Sequence, residues 1–590
     1  MSSAIAFSSE QAASAEPRLR ELADCFEKCF GGEERAENTL SISKSLDFDA
    51  VPAFPQPACD ALGRWRFADY YVPAQFGGKW RGTDELMLLL RLVARRDLTL
   101  SIAHAKTFLG CISVWVSGSE AQARRLAEEV KQGAVVSLGL TERAHGSDIG
   151  ASETIALRAG DFYVLNGEKF LINNATRCRF MSVFARTAFN GNARDFSILL
   201  VDKQALPATT FSPTAKQHTH GMRGADISGI VFSNARVGQD ALVGAEGGGM
   251  ECVLKGFQIT RTLCAGLSAG GADAALRTAL SFAAGRHIGG RALATLPVVR
   301  GILNEACADM LILDIVAQVG ARAVNVVPEA MSLISAVVKA EVPPRAELMV
   351  DALADVLGAR AYLERGPGFG GFAKIQRDIR LVSIFDGNTV VNLQAIRFLL
   401  KGLARRRRAG LIRSEPALIR SLFDLGAPLP EFRRDALSLS SHGGDPVVAG
   451  LDEAAEFLLQ DGRLSETARA RVHPRLSALL AERDAIENDA VTAPLDVRRL
   501  IPSDFDLARR YARVFAAACC IRIFLHNRTR LAPELQDGFW LADVLDRLAG
   551  VPIPEETTLL GALEAQRSNR QLFGVTPVPL ADATAPEALL

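Results

Sequence analysis

The sequence predicts an α+β multidomain chain with an N-terminal helical domain, a small antiparallel β-barrel domain, a four-helix bundle and an additional C-terminal helical region. Three observations carry this. Up to about residue 133 the clearest segments space their apolar residues by three and four, as one face of a helix does. Near Ala134 the texture changes to short runs of β-branched and aromatic residues. After Gly247-Gly248-Gly249 long alanine- and leucine-rich helical segments return and continue toward the C-terminus. A chain of 590 residues suits about three to five domains. The expected divisions are 1–133, 134–242, 243–405 and 406–590.

In the first division, ELMLLLRLVARRDLTLSIAHAKTFLGCISVW and SEAQARRLAEEVKQG read as helices, while VPAFPQPACDALGRW, with its prolines, reads as loop. In the second, VVSLGLT, DFYVLNGEKFLINN, FMSVFARTA, DFSILLVDK and ISGIVFSNARVG read as strands. Asn166-Gly167 reads as a hairpin turn, because both residues tolerate positive φ. The third division holds four long segments from Met250 to Arg408 that suit a four-helix bundle. Arg405 to Arg408 end the last of them, where cations favour the negative end of the helix dipole. The fourth division is mostly helical and carries no readable motif.

Composition excludes little but sets the frame. Hydrophobic residues make up 48% and charged residues 23%, which is globular. Lys+Arg and Asp+Glu both number 67, so whole-chain charge gives no case for nucleic acid as a partner. The ten cysteines are scattered without CxxC pairs and read as buried small hydrophobes in a reducing compartment. No basic region precedes an apolar core at the N-terminus and no membrane span is expected, so a cytoplasmic protein is the default. His218 and His220 have no carboxylate or thiol set around them, so no metal site is expected.

Four ordered stretches over roughly residues 60 to 402 resemble the acyl-CoA dehydrogenases. They are YVPAQFGGKWRGTDELMLLLRLVARRD, LGLTERAHGSDIGASETIA, GMRGADISGIVFSNARV…LVGAEGGGMECVLKGFQITR, and RDIRLVSIFDGNTVVNLQ. The resemblance implies FAD as cofactor and α,β-dehydrogenation of an acyl thioester. In that reaction a base removes the proton α to the thioester carbonyl while hydride leaves the β carbon for flavin N5. A carboxylate in a dry pocket with a raised pKa is the natural base.

The family's glutamate base corresponds here to Asp386, in Phe385-Asp386-Gly387-Asn388. Aspartate retracts the carboxylate by about 1.5 Å, and a misplacement of that size can cost about a hundredfold in rate. Read alone, Asp-Gly is also an ordinary turn. The alternative base position, just before Arg261, is Thr260. By the resemblance, Leu140 and Thr141 meet the flavin through backbone or hydroxyl, and Ser147 touches flavin or acyl ligand. Asn173 and Asn388 are further cofactor contacts, and Arg261 orients the ligand or, read as helix surface, forms an intrahelical ion pair. Arg286 serves the adenine half of FAD on a neighbouring subunit.

Other positions depart from the family pattern. Leu171 stands where a tryptophan packs on the flavin, Asn173 replaces a hydroxyl donor, and Gly289 replaces an aromatic. Asp355 opens a turn expected to hold pyrophosphate, where a like charge repels unless Arg360 takes over. His287 reads as a surface or packing residue. GPGFGG at 366–371 follows a helix and so reads as a flexible loop near cofactor or substrate, not as a dinucleotide-binding turn.

The expected partners are an acyl-CoA or acyl-carrier-protein substrate, an electron-acceptor flavoprotein or O2, and a second copy in a homodimer. Two other readings fit the sequence. One is a flavin monooxygenase or oxidase of the same fold, and the other is a non-catalytic scaffold, which Leu171, Gly289 and Asp355 would favour.

Overall fold

The computed structural model describes residues 15–366, 370–412, 415–441, 444–461, 464–496 and 499–588. The glycine-rich loop expected at 366–371 therefore lies partly outside the described residues.

Six helices come first: α1 (Ala15–Phe30), α2 (Ile42–Ala50), α3 (Gln56–Arg64), α4 (Thr83–Arg96), α5 (Leu98–Ser117) and α6 (Glu120–Lys131). The segment expected as loop contains α3, with Pro57 in its first turn, where a missing N–H costs nothing. Asp97 separates α4 from α5, and its side chain caps α5 through the Leu100 amide. All fourteen residues of α4 are buried. Among the described residues α5 alone is long and apolar enough to cross a membrane, yet 83% of its apolar window is buried within the protein. It is a core helix.

Eight strands follow: β1 (Val136–Gly139), β2 (Ile155–Ala159), β3 (Phe162–Asn173), β4 (Phe180–Arg186), β5 (Phe196–Asp202), β6 (Phe211–Thr214), β7 (Ile227–Gly238) and β8 (Leu242–Val243). They form one sheet in the order β6-β7-β3-β2-β4-β5-β8, with β1 pairing β4. The expectation of an antiparallel barrel needs correction in two respects. The sheet is open, because the short end strands β6 and β8 do not pair. It also contains a parallel pair, β1 with β4, and a single parallel contact between β2 and β4.

The expected hairpin at Asn166-Gly167 is also corrected. β3 runs straight through these residues, and the reversal between β2 and β3 lies at Gly160-Asp161. Gly167, at φ +134°, instead serves a bulge where the register against β7 shifts. Alternation along β4 buries both faces: Phe180 and Phe184 join the helical core, while Met181, Val183 and Ala185 fill a second, smaller one.

The long helices of the next division are α7 (Gly249–Gly285), α8 (Pro297–Val326), α9 (Met331–Leu357) and, after the shorter α10 (Gly370–Ile379), α11 (Thr389–Arg408). α7 packs on α4, α5, α8 and α9, and α11 packs on α9. The remaining helices are α12 (Pro416–Phe423), α13 (Leu451–Gln460), α14 (Glu466–Thr492), α15 (Pro502–Asn527), α16 (Phe539–Ala549) and α17 (Leu559–Ser568). α15 packs on α8, α9 and α11, and α16 packs on α8. The structure is thus mixed α+β and mostly helical. All ten cysteines are free thiols, most of them buried.

Candidate functional site

The site forms where α5, α7 and the turn before α11 meet. Asp386 and Gly387 both have positive φ, +56° and +90°. Aspartate tolerates the left-handed region better than most side chains. Asn388 then caps α11, its side-chain oxygen accepting from the Val391 amide at 2.9 Å. This tight turn directs the Asp386 carboxylate inward, and 7% of that side chain is exposed.

Sequence reasoning missed the partner of that carboxylate. Lys106 of α5 donates from Nζ to Asp386 Oδ1 at 3.0 Å, and its ammonium lies 3.8 Å from the centre of the Phe385 ring. Oδ2 lies 4.0 Å from Cys264 Sγ. Burial pushes the Cys264 thiol up to about 12, so it stays protonated at neutral pH. A cavity of about 30 Å³ adjoins the pair, with Leu90, Ile102, Ala105, Leu109, Leu263 and Leu267 among its walls. Thr260 also lines it, and its hydroxyl is buried without a hydrogen-bond partner.

Arg261 holds the turn itself. Its Nε donates to the Asp386 carbonyl at 2.8 Å, and Gly387, at φ +90° with the guanidinium 2.7 Å from where a Cβ would lie, is a position that favours glycine. Neither the intrahelical ion pair nor a direct ligand contact is therefore needed to explain the buried Arg261. Lys339 of α9, fully buried, donates to the Val382 carbonyl below the same turn. Burial lowers the pKa of both Lys339 and Arg261.

The expected cofactor residues fall into two groups. Ser147 accepts from Asn388 Nδ2 at 3.4 Å, which brings the loop after β1 to the cap of α11. Thr141 pairs with Phe170 twice: its hydroxyl donates to the Phe170 carbonyl at 2.7 Å, and its own carbonyl accepts from the Phe170 amide at 2.9 Å. The Leu140 carbonyl accepts from Lys169 Nζ at 3.1 Å. Leu171 follows at a bulge with φ +56° and is 51% exposed, unusual for leucine on both counts. Asn173 Oδ1 is buried without a partner.

An exposed apolar side chain and an orphaned amide oxygen at the end of β3, beside the loop that carries Thr141, fit a flavin ring. Arg286 is not part of this cluster. It is exposed, 25 residues beyond Arg261 at the end of the same helix, or about 37 Å at 1.5 Å per residue. Gly289 lies in the exposed turn that follows Arg286, and Asp355 is exposed at the end of α9. Arg360 stacks on Phe282 at 5.2 Å and makes no ion pair with Asp355.

Glu142 is a clamp within the loop that carries Thr141 and Ser147. It accepts from Lys169 Nζ at 2.7 Å, the Glu153 amide at 2.7 Å, the Thr154 amide at 3.0 Å and the Ser152 hydroxyl. Burial alone would raise its pKa, but the Lys169 ammonium and these donors hold it down to about 2. Lys169 is pulled down to about 8, since its burial outweighs the attraction of Glu142.

A larger cavity, of about 800 Å³, lies between α2, α10 and the later turns of α7. Asp386 does not line it, and its buried charges are already matched, Arg95 with Glu33 and Lys374 with Asp97 and Asp378.

Comparison with known proteins gives a family likeness over the middle of the chain. The family model of the acyl-CoA dehydrogenase middle domain matches residues 137–235, and that of the C-terminal domain matches 247–398. The chain is 26% identical over 350 residues to a probable acyl-CoA dehydrogenase of Mycobacterium tuberculosis, spanning 59% of this chain and 88% of that protein. It is 26% identical over 352 residues to a cyclohex-1-ene-1-carbonyl-CoA dehydrogenase of Geobacter metallireducens, spanning 59% and 90%. Among solved structures, an acyl-CoA dehydrogenase complexed with FAD from Bacillus anthracis aligns at a TM-score of 0.68, with 16% identity. That alignment covers 97% of this chain and 94% of the other, so the shared fold includes the C-terminal helices.

Proposed function

Because the chain belongs to the acyl-CoA dehydrogenase family and so is an FAD-dependent oxidoreductase, we propose that it dehydrogenates a short acyl thioester across the α and β carbons, with Asp386 taking the α proton. The observation that carries this reading is the Asp386 carboxylate, buried beside an apolar cavity between α5 and α7. Oδ1 is held by Lys106, so Oδ2 is the oxygen that receives the proton. The apolar walls exclude water, which would otherwise compete for the carboxylate and weaken its action as base. Arg261 and Gly387 fix the turn, and the left-handed backbone at Asp386 aims the shorter side chain.

Leu140, Thr141, Ser147, Leu171, Asn173 and Asn388 would hold the flavin end of FAD, with Arg286 serving the adenine half on a second subunit. Bound there, FAD supplies the acceptor for the hydride equivalent from the β carbon. CoA and a carrier-protein arm present the same thioester, and reduced cofactor would pass its electrons to an electron-transferring flavoprotein or O2.

The test uses purified full chain supplied with FAD and mixed anaerobically with short acyl-CoA thioesters. The expected result is bleaching of the flavin, with exchange of the α proton into deuterated water. Asp386→Asn should lower both by about 10²–10⁴-fold. Undiminished exchange in that variant rules Asp386 out as base. Bleaching only with NAD(P)H points to the oxygenating reading, and a chain that takes up no FAD points to the scaffold.

A further inference from the structure

The Asp386 turn is fixed at its backbone by groups that do not reach its carboxylate. Arg261 Nε donates to the Asp386 carbonyl, and Asn392 Nδ2 donates to the Gly387 and Asn388 carbonyls at 2.8 and 2.9 Å. Among the described residues the carboxylate itself receives one short hydrogen bond, from Lys106 Nζ to Oδ1. Oδ2 meets the Cys264 thiol at 4.0 Å. A carboxylate has two equivalent oxygens on a rotatable bond, so it is Lys106 that makes one of them bound and the other free.

The ammonium is itself held. It lies over the face of Phe385, 3.8 Å from the ring centre, beside a largely apolar cavity. Phe385 and Asp386 are neighbours in sequence, so one turn offers a single cation both a ring and a carboxylate. Among the described residues no second carboxylate lies within ion-pair distance of Lys106. The other charged or titratable groups facing the pair are Arg261 and Cys264 on α7 and Lys339 on α9. Cys264 is neutral, while Arg261 and Lys339 donate to backbone carbonyls. His104, on α5 with Lys106, is turned to the Tyr71 hydroxyl, 2.7 Å from its Nδ1. Burial disfavours an anionic carboxylate and a cation in contact reverses that, and Lys106 is the cation in contact.

We propose that Lys106 is a positioning residue for α-proton transfer: held over Phe385, its ammonium keeps the buried Asp386 anionic, fixes Oδ1 and leaves Oδ2 as the one acceptor. This role rests on the reading of Asp386 as base. In the step the α C–H bond breaks, the proton passes to Oδ2, and the electron pair stays on the acyl group as an enolate. Asp386 is then neutral and Lys106 lacks a counter-charge, so the same pair favours release of that proton and return of the anionic base.

The experiment follows exchange of the α protons of butanoyl-CoA into deuterated water by mass spectrometry, across pH, on the full chain supplied anaerobically with FAD. The wild-type rate should rise along an acid limb to a plateau. Lys106→Met should move that limb up by about one to three pH units and lower the plateau about tenfold or more. Lys106→Arg keeps the charge and should hold the limb within about half a unit. Phe385→Leu keeps every charge and so remains informative if Lys106→Met does not fold; it should leave the limb in place and lower the plateau about threefold. The proposal is overturned by a Lys106→Met limb that stays at the wild-type pH, or by a Lys106→Arg limb that moves as far as the Met limb. Should Lys106→Met not fold, a Phe385→Leu profile that superimposes on the wild type overturns it. Asp386→Asn separates this role from the reading beneath it. Exchange lost in that variant, with an unmoved Lys106→Met limb, defeats the role of Lys106 alone. Exchange retained there, or absent from the wild type, defeats the base assignment and this proposal with it.

Discussion

Lys169→Met should loosen the flavin-facing loop while leaving the rest of the sheet intact. Lys169 is fully buried and donates to Glu142, to the Leu140 carbonyl and to the Ser152 hydroxyl. Removing it strands a buried carboxylate, which typically costs about 3–5 kcal/mol. Glu142 keeps two amide donors and the Ser152 hydroxyl, so the lower end, about 3 kcal/mol, is expected. If that loss falls on local opening of the loop, the exchange of the Glu153 and Thr154 amides should rise by about 10². The assay is hydrogen exchange of peptides covering residues 140–154, with the β4–β5 peptides as internal reference. Adding Glu142→Gln removes the stranded charge and should bring exchange back to within about tenfold of the wild type. Because the loop carries Thr141 and Ser147, FAD affinity should fall and recover in step. Single and double variants that exchange alike would show that Lys169 acts through packing, not through Glu142.

Other consequences are simpler to check. Glu142 sits at about 2 in the fold against an ordinary 4.5, so its contribution is present above pH 4.5 and lost as the pH falls toward 2. The loss amounts to about 3 kcal/mol, and an acid unfolding profile should shift upward in pH for Lys169→Met. Leu171→Gly should leave the melting temperature unchanged or slightly higher, since the left-handed backbone costs leucine about 1–2 kcal/mol. The same change should weaken FAD binding severalfold by fluorescence titration; a clear fall in melting temperature would argue against strain at this bulge. Arg397→Met should free the C-terminal helices to early proteolysis, because Arg397 is fully buried and bonds Asp504 at 2.7 Å; adding Asp504→Asn should restore part of the resistance.

The order of helical, strand and helical segments was legible because hydrophobic period is a local property. The Asp386 turn was legible for the same reason, through Asp-Gly-Asn just before a helix. The Asn166-Gly167 bulge was misread as a hairpin because positive φ serves both, and only pairing with β7 distinguishes them. Lys106 was not legible as a partner of Asp386, since 280 residues separate them. It did leave a signal: one ammonium in the apolar run LSIAHAKTFLGCISVW has to find a counter-charge once that helix is buried. The closed barrel was an over-reading, because strand propensity carries no information about whether end strands meet.

The C-terminal region bears on the site more directly than its lack of motifs suggested. α11 starts at the Asn388 cap beside the proposed base, and its middle is anchored by Arg397 to Asp504 of α15. Its last turn, the arginine run, is tied by Arg407 to Glu487 of α14 at 3.1 Å and to Asp452 of α13 at 3.4 Å. The run is thus a docking point for later helices as well as a helix end. Further on, the Phe573 and Val575 amides donate to Asp273 of α7 and Asp314 of α8 at 2.7 and 2.8 Å, and the Ala581 amide donates to Glu27 of α1 at 2.9 Å. The chain's last described segment therefore closes over the first helices. A buried turn made of two left-handed residues is held only if its flanking helix cannot shift. Residues beyond 405 brace α11 against such a shift, through Asp504 at its middle and Glu487 and Asp452 at its last turn.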